Sequence, residues 1–190
     1  IDYRTILEST EKIIDGLHIE TKITDAEKGI IVLEDNKKNC LPILETAIEK
    51  LGYKDSISVV LVKTKYPQGG EKSIVKAVLN KEIPAGKLPA DIGCVISNIG
   101  TMCAISEAFR EGKPLIDRGL TLSGGALECP KNVSVPIGTF ISDLIPHVVK
   151  LDKPVKKIIS GGPMMGFTCA NTSFKKTKNT SGVLFLTGKE

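Results

Sequence analysis

The sequence predicts an α/β fold with a parallel sheet over residues 1–112, followed by a smaller α+β module over residues 113–190. Two observations predict it. Helical apolar periodicity alternates with short apolar runs up to residue 112, the grammar of a parallel sheet with helices on its faces. Gly112-Lys-Pro114 is a helix stop, and beyond it brief apolar segments alternate with turn residues. Aromatic residues make up only 4% of the chain, with no Trp, so the core must be built from Ile, Val, Leu and Ala.

Ile6, Leu7, Ile13, Ile14, Leu17 and Ile19 recur at helical spacing with charges between them, predicting one helix over 5–23. The apolar run 29–34 suits a buried parallel strand. Asp35 or Asn36 is placed to cap the next helix, which turns Leu41, Leu44, Ala47, Ile48 and Leu51 inward and ends at Gly52. A strand over 56–62 then runs toward Gly69-Gly70, and a helix over 71–80 leaves from Glu71, burying Ile74, Val75, Val78 and Leu79. Cys94-Val-Ile96 reads as a third strand, ending at Ser97-Asn98-Ile-Gly100-Thr101, where a helix over 101–112 begins. Downstream, segments 115–122 and 132–138 pair as a hairpin, and a short helix from Thr139 or Phe140 carries Ile141, Leu144 and Ile145. Strands over 157–160 and 183–186 complete a β-grasp-like module, with the polar tract 171–181 as a flexible loop.

Two stretches carry chemistry. Gly69 and Gly70 before a helix let backbone N–H groups approach an anion where the helix dipole is positive, and the same residues also suit a plain turn. Asn98 and Thr101 at the second junction could bond a ligand or simply cap a helix. No GxGxxG or GxxxxGK[ST] pattern is present. The five cysteines are widely and irregularly spaced without a CxxC, which argues against zinc or an iron–sulfur cluster held by this chain alone. Cys94, Cys103 and Cys169 read as buried thiols in a reducing compartment. His18 and His147 read as surface histidines, and Lys175-Lys-Thr-Lys178 as a solvated loop. Glu71 reads as a carboxylate favoured by the helix dipole, without proton chemistry. So few aromatics disfavour single-stranded nucleic-acid binding by stacking, and the dispersed lysines behind the net charge of +4 read as solvated helix faces. No apolar run approaches the ~20 residues of a membrane span. The start at Ile1, without Met and on the approach to a helix, suggests an excised piece of a longer protein.

Three motifs in order, Tyr66-Pro-Gln-Gly-Gly-Glu71-Lys-Ser, Leu88-Pro-Ala-Asp-Ile-Gly-Cys-Val-Ile-Ser-Asn-Ile-Gly-Thr101 and Ile159-Ser-Gly-Gly-Pro-Met-Met-Gly166, resemble the C subunit of the Rnf electron-transport complex. That protein is in turn similar to the NADH- and FMN-binding subunit of respiratory complex I. The resemblance implies a partial flavin/NADH-binding fold over 1–112 and a β-grasp domain of the soluble-ligand-binding (SLBB) type over 113–190. It implies that Tyr66, Gly69, Gly70 and Glu71 contact the flavin phosphate and ribityl chain, and that Ile96, Asn98 and Thr101 form a second flavin-contacting turn. Where the complex I pattern has an acidic residue this chain has Gly70, so the role of that carboxylate does not carry over. The implied function is electron transfer between NAD(H) and ferredoxin through FMN, with other Rnf subunits as partners at the cytoplasmic face of the cell membrane. The family's upstream glycine-rich loop and downstream CxxCxxC cluster-binding runs are not in these residues, so no iron–sulfur cluster is expected on them. Weak FMN binding without NADH oxidation is the expectation for this stretch. A cobalamin reductase of the same arrangement and a non-catalytic docking subunit are the alternatives.

Overall fold

The computed structural model describes residues 1–190, which divide into two compact units, Asp2–Pro114 and Leu115–Glu190 with Ile1.

In the first unit, α1 (Asp2–Glu8) and α2 (Thr10–Thr24) replace the single expected helix. Ser9 lies between them with φ −138° and ψ 34°, off the helical geometry, so the periodic pattern is divided without being lost. Strand β1 (Gly29–Glu34) pairs in parallel with β2 (Ile57–Val62), from Gly29 opposite Ile57 to Glu34 opposite Val62. The crossover between them holds a 3-10 turn (Asp35–Cys40) and α3 (Leu41–Lys50). Asp35 does not cap α3. Its Oδ1 accepts from Thr64 Oγ1 at 2.6 Å and Thr64 N–H at 3.0 Å, tying the exit of β1 to the exit of β2. Those bonds, the hydroxyl's first, hold the Asp35 carboxyl below the usual carboxylate range.

The sheet stops at two strands. The expected third strand at Cys94-Val-Ile96 is absent, and the Cys94 N–H closes a turn onto Pro89 O instead. Val95 is exposed, so the run lacks the burial that favours a ladder position. Two further helices follow β2. Helix α4 (Glu71–Leu79) buries only Val75 of its expected apolar face, and α5 (Ile99–Glu111) begins two residues before the expected Thr101. Helices α2 and α5 pack closely, because a Cβ on Gly16 would lie 1.9 Å from Met102 O. The core is aliphatic: Ile13, Ile14, Ile31, Leu33, Leu44 and Ile48 form one buried cluster that includes Cys40.

The second unit is built on one five-stranded sheet. Strands β3 (Asp117–Ser123) and β4 (Lys131–Pro136) form the expected hairpin. Strand β5 (Lys157–Ser160) and β6 (Phe167–Cys169) form another, joined by the Gly161–Gly166 turn. The last strand, β7 (Gly182–Leu186), runs parallel to β3 and antiparallel to β5, which gives the order β4-β3-β7-β5-β6 and closes the sheet through its middle. The short helix is a 3-10 turn at Ile141–Leu144.

The tract 171–181 is not a free loop. The N–H groups of Ile141 and Ser142 donate to Phe174 O and Thr172 O, and Lys176 N–H donates to Thr139 O. Lys176, expected in solvent, is fully buried; its Nζ donates to the carbonyls of Thr177 and Thr180, and burial pushes its pKa down. The thiol reading also changes. Cys94, Cys103 and Cys169 are half-buried, while Cys40 is the fully buried thiol, its pKa raised by desolvation.

Candidate functional site

The sequence-derived site residues fall on two helix starts. Tyr66, Gly69, Gly70 and Glu71 occupy the loop after β2 and the first residue of α4. Strand β2 does not run into the glycines, because residues 63–70 form a loop of turns between Val62 and the helix. Gln68 N–H donates to Lys65 O at 2.8 Å, and Gly70 N–H to Pro67 O at 3.3 Å. Gly70 is the residue before the helix, and no side chain caps it. The first-turn N–H groups of α4 therefore keep the positive potential of an unfinished helix start. Glu71 is exposed, as the dipole reading expects.

The space over this loop is open. A Cβ on Gly69 would meet nothing within 4 Å, and one on Gly70 would meet only Pro67 O at 3.5 Å and Ser73 Oγ at 3.9 Å. Tyr66 is 59% exposed beside it. Lys65, Lys72, Ser73, Lys76 and Ala77 line a shallow cleft of ≈ 290 Å³ along the same helix. Lys76 is paired with Glu82 at 2.9 Å, so the ammonium groups of Lys65 and Lys72 and the uncapped helix start give the region the chemistry to hold a phosphate-bearing ligand. One residue here escaped the sequence reading. Gln68 is 3% exposed, and both its Oε1 and Nε2 lack a hydrogen-bond partner. No local signal marks it, since its burial depends on how the loop folds back.

Ile96, Asn98 and Thr101 occupy the approach to α5 and its first turn. Here the helix start is finished by protein groups. Asn98 Oδ1 accepts from Gly100 N–H at 2.9 Å, and its Nδ2 donates to Asp2 Oδ2 at 3.0 Å. Ser97 Oγ donates to Glu20 Oε1 at 2.6 Å. Thr101 N–H donates to Asn98 O, and Ile96 is half-buried.

The body of α5 is clamped to α2. Arg110 donates to both carboxylate oxygens of Asp15, at 2.7 and 3.1 Å, and Ser106 Oγ donates to the same carboxylate at 2.7 Å. The guanidinium, outweighing partial burial, holds the Asp15 carboxyl below its usual range. Lys12 reaches Glu107 at 2.8 Å and Glu111 at 2.9 Å, which raises the lysine and lowers Glu107. His18, expected at the surface, stacks on Tyr53 with ring centroids 4.0 Å apart, its Nδ1 buried without a partner.

The larger groove of the unit, ≈ 490 Å³ between α2 and α3, contains none of the motif residues. No three His, Cys, Asp or Glu side chains gather to hold a metal, and no helix is long and apolar enough to cross a membrane.

Residues 1–107 match the family described as the Nuo51 FMN-binding domain. The chain belongs to that family. The C subunit of the proton-translocating ferredoxin:NAD(+) oxidoreductase complex of Clostridium ljungdahlii is 45% identical over 186 residues, covering 98% of this chain and 40% of that protein. Its counterpart in the Na(+)-translocating ferredoxin:NAD(+) oxidoreductase complex of Acetobacterium woodii is 38% identical over 186 residues, covering 98% and 41%. The C subunit of the ion-translocating oxidoreductase complex of Rhodobacter capsulatus is 37% identical over 189 residues, covering 100% and 36%. The chain thus spans less than half the length of these curated relatives. The resemblance carried by the three motifs is borne out. An NAD+-reducing nickel–iron hydrogenase in its H2-reduced state shares the fold, with a TM-score of 0.81 at 15% identity over all of this chain and 38% of the hydrogenase chain.

Proposed function

We propose that this chain is the FMN-contacting segment of the C subunit of an ion-translocating ferredoxin:NAD oxidoreductase complex of the Rnf type. One coincidence carries the reading. The open, uncapped, lysine-flanked start of α4 lies within the residues matched by the FMN-binding family. A phosphate at that start would meet first-turn N–H groups and nearby ammonium charge. Tyr66 and the Gly69-Gly70 backbone would flank the ribityl chain, with Glu71 at the helix entry. Ile96, Asn98 and Thr101 would supply the second wall, Asn98 chiefly by fixing where α5 begins. When bound, FMN supplies the exchange between two-electron hydride chemistry and one-electron transfer. The protein's part is to hold and orient it. In the whole protein the redox partners are NAD(H) and, through iron–sulfur clusters outside these residues, ferredoxin, at the cytoplasmic face of the membrane beside the other subunits. The unit Leu115–Glu190 takes the role of the β-grasp domain of the SLBB type.

The test is a titration of the 190-residue chain with FMN, followed by quenching of flavin emission. Saturable but weak quenching, without NADH oxidation, is expected. Complete absence of quenching would overturn the assignment.

A further inference from the structure

The Gln68 carboxamide makes no hydrogen bond in the folded chain. A carboxamide offers two N–H donors and an acceptor oxygen with two lone pairs, and here neither end has a partner although the residue is 3% exposed. Buried polar groups in native proteins are almost always bonded, and an unbonded one demands a reason. An apolar side chain of similar volume would serve the flavin-free fold better. The position supplies the reason. Gln68 immediately precedes Gly69-Gly70, in the loop that opens the uncapped start of α4, and the space over Gly69 is empty.

We propose that Gln68 is a flavin-binding residue whose carboxamide turns toward the open space over Gly69 and bonds the ribityl hydroxyls when FMN enters. This rests on the FMN reading of the loop and adds a contact to it. The chemistry selects the ribityl chain over the phosphate. A phosphate oxygen only accepts, so it would pair Nε2 and leave Oε1 orphaned beside negative charge. A hydroxyl both donates and accepts, and a run of hydroxyls satisfies both ends of the carboxamide.

The experiment compares the wild-type chain with Gln68→Met, measuring flavin-free melting temperature and the affinities for FMN and riboflavin by flavin quenching. The expected pattern has opposite signs. The flavin-free variant melts about 3 °C higher, because an orphaned amide has been removed from the interior. Its FMN affinity falls roughly tenfold, and its riboflavin affinity falls by the same factor, as loss of one or two hydrogen bonds requires. A lower melting temperature, or a variant that does not fold, would show that the carboxamide serves the fold and would overturn the proposal. So would unchanged FMN affinity, or a loss seen with FMN but not with riboflavin, which would place the contact on the phosphate. If the wild-type chain itself does not quench FMN, the FMN reading fails and takes this inference with it; if the wild type binds and Gln68→Met binds equally well, only this inference fails.

Discussion

The two helix starts that carry the motif residues solve the same physical problem in opposite ways. Each helix presents N–H groups that lack intrahelical partners. At α5, protein side chains complete the start: Asn98 caps it, Asp2 holds Asn98, and Glu20 holds Ser97. At α4, Gly70 offers no side chain, the neighbouring glycine leaves open space, and the one polar side chain folded into the loop is unpaired. On the proposed reading, the α5 start is closed by its own chain and the α4 start is left open for a ligand. The contrast predicts that changes around α5 register mainly in folding, and changes around α4 mainly in binding.

The largest effect should come from the α2–α5 crossing that sets the α5 start. A methyl at Gly16 would lie 1.9 Å from Met102 O, a backbone atom that cannot move aside alone. Gly16→Ala should therefore destabilise the chain by about 3 kcal/mol, the range of severe overpacking, in a denaturant melt. A loss under about 1 kcal/mol would mean that the two helices separate easily, and α5 would no longer count as the rigid side of the comparison.

Next comes the other side. Gly69→Ala adds a methyl where nothing lies within 4 Å, and Gly69 is not among the glycines with positive φ. The melting temperature should stay within about 1 °C of wild type, as for a surface substitution. FMN affinity should fall roughly tenfold, since the methyl occupies the approach to the backbone. Equal affinity would mean that the ligand does not pass over this glycine, and the open start would lose its meaning.

How far the sequence discloses this arrangement depends on which interactions are local. The strands β1 and β2, the helix α3 and the Gly112 stop are legible because periodicity and turn chemistry are written in adjacent residues. The missing strand at Cys94-Val-Ile96 was not legible. An apolar run needs a neighbouring strand to pair with, and here the Cys94 amide turns back to Pro89. Lys176 and His18 mislead for the same reason, since each looks solvated in sequence and is covered once the chain folds around it. Asn98, whose cap bond reaches only to Gly100, was legible, whereas its bond to Asp2 was not. Gln68 lies inside a motif, yet nothing local tells a buried glutamine from an exposed one.

A smaller effect tests whether α5's cap belongs to the fold. Asn98→Ala removes the acceptor for Gly100 N–H and the donor to Asp2, so it should destabilise by about 1 kcal/mol, as N-cap replacements do. Asn98→Asp keeps the cap acceptor but faces the Asp2 carboxylate, so it should recover only part of that loss. Full stability in Asn98→Ala would leave the cap without energetic weight, and the asymmetry between the two starts would rest on binding alone.

The smallest effect concerns the clamp behind α5 and is read through pH. Arg110 and Ser106 hold the Asp15 carboxyl below its usual value in the folded chain, whereas unfolding returns it to about 3.9. A carboxyl depressed by folding contributes stability that is fully present above the unfolded value and is lost as pH falls through the folded one. Arg110 is 60% exposed on its side chain, so water screens the pair and the contribution is modest. Asp15→Asn lacks the charge at every pH. Its melting temperature should lie below wild type at pH 7, and the gap should narrow as the pH drops below about 4, where Asp15 of the unfolded wild-type chain takes up a proton, and close below the depressed value of the folded chain. A gap that stays constant into strong acid would mean that the Asp15 charge contributes nothing to stability. The grip of α2 on α5 would then come from the close contact at Gly16, with the ion pair a bystander to it.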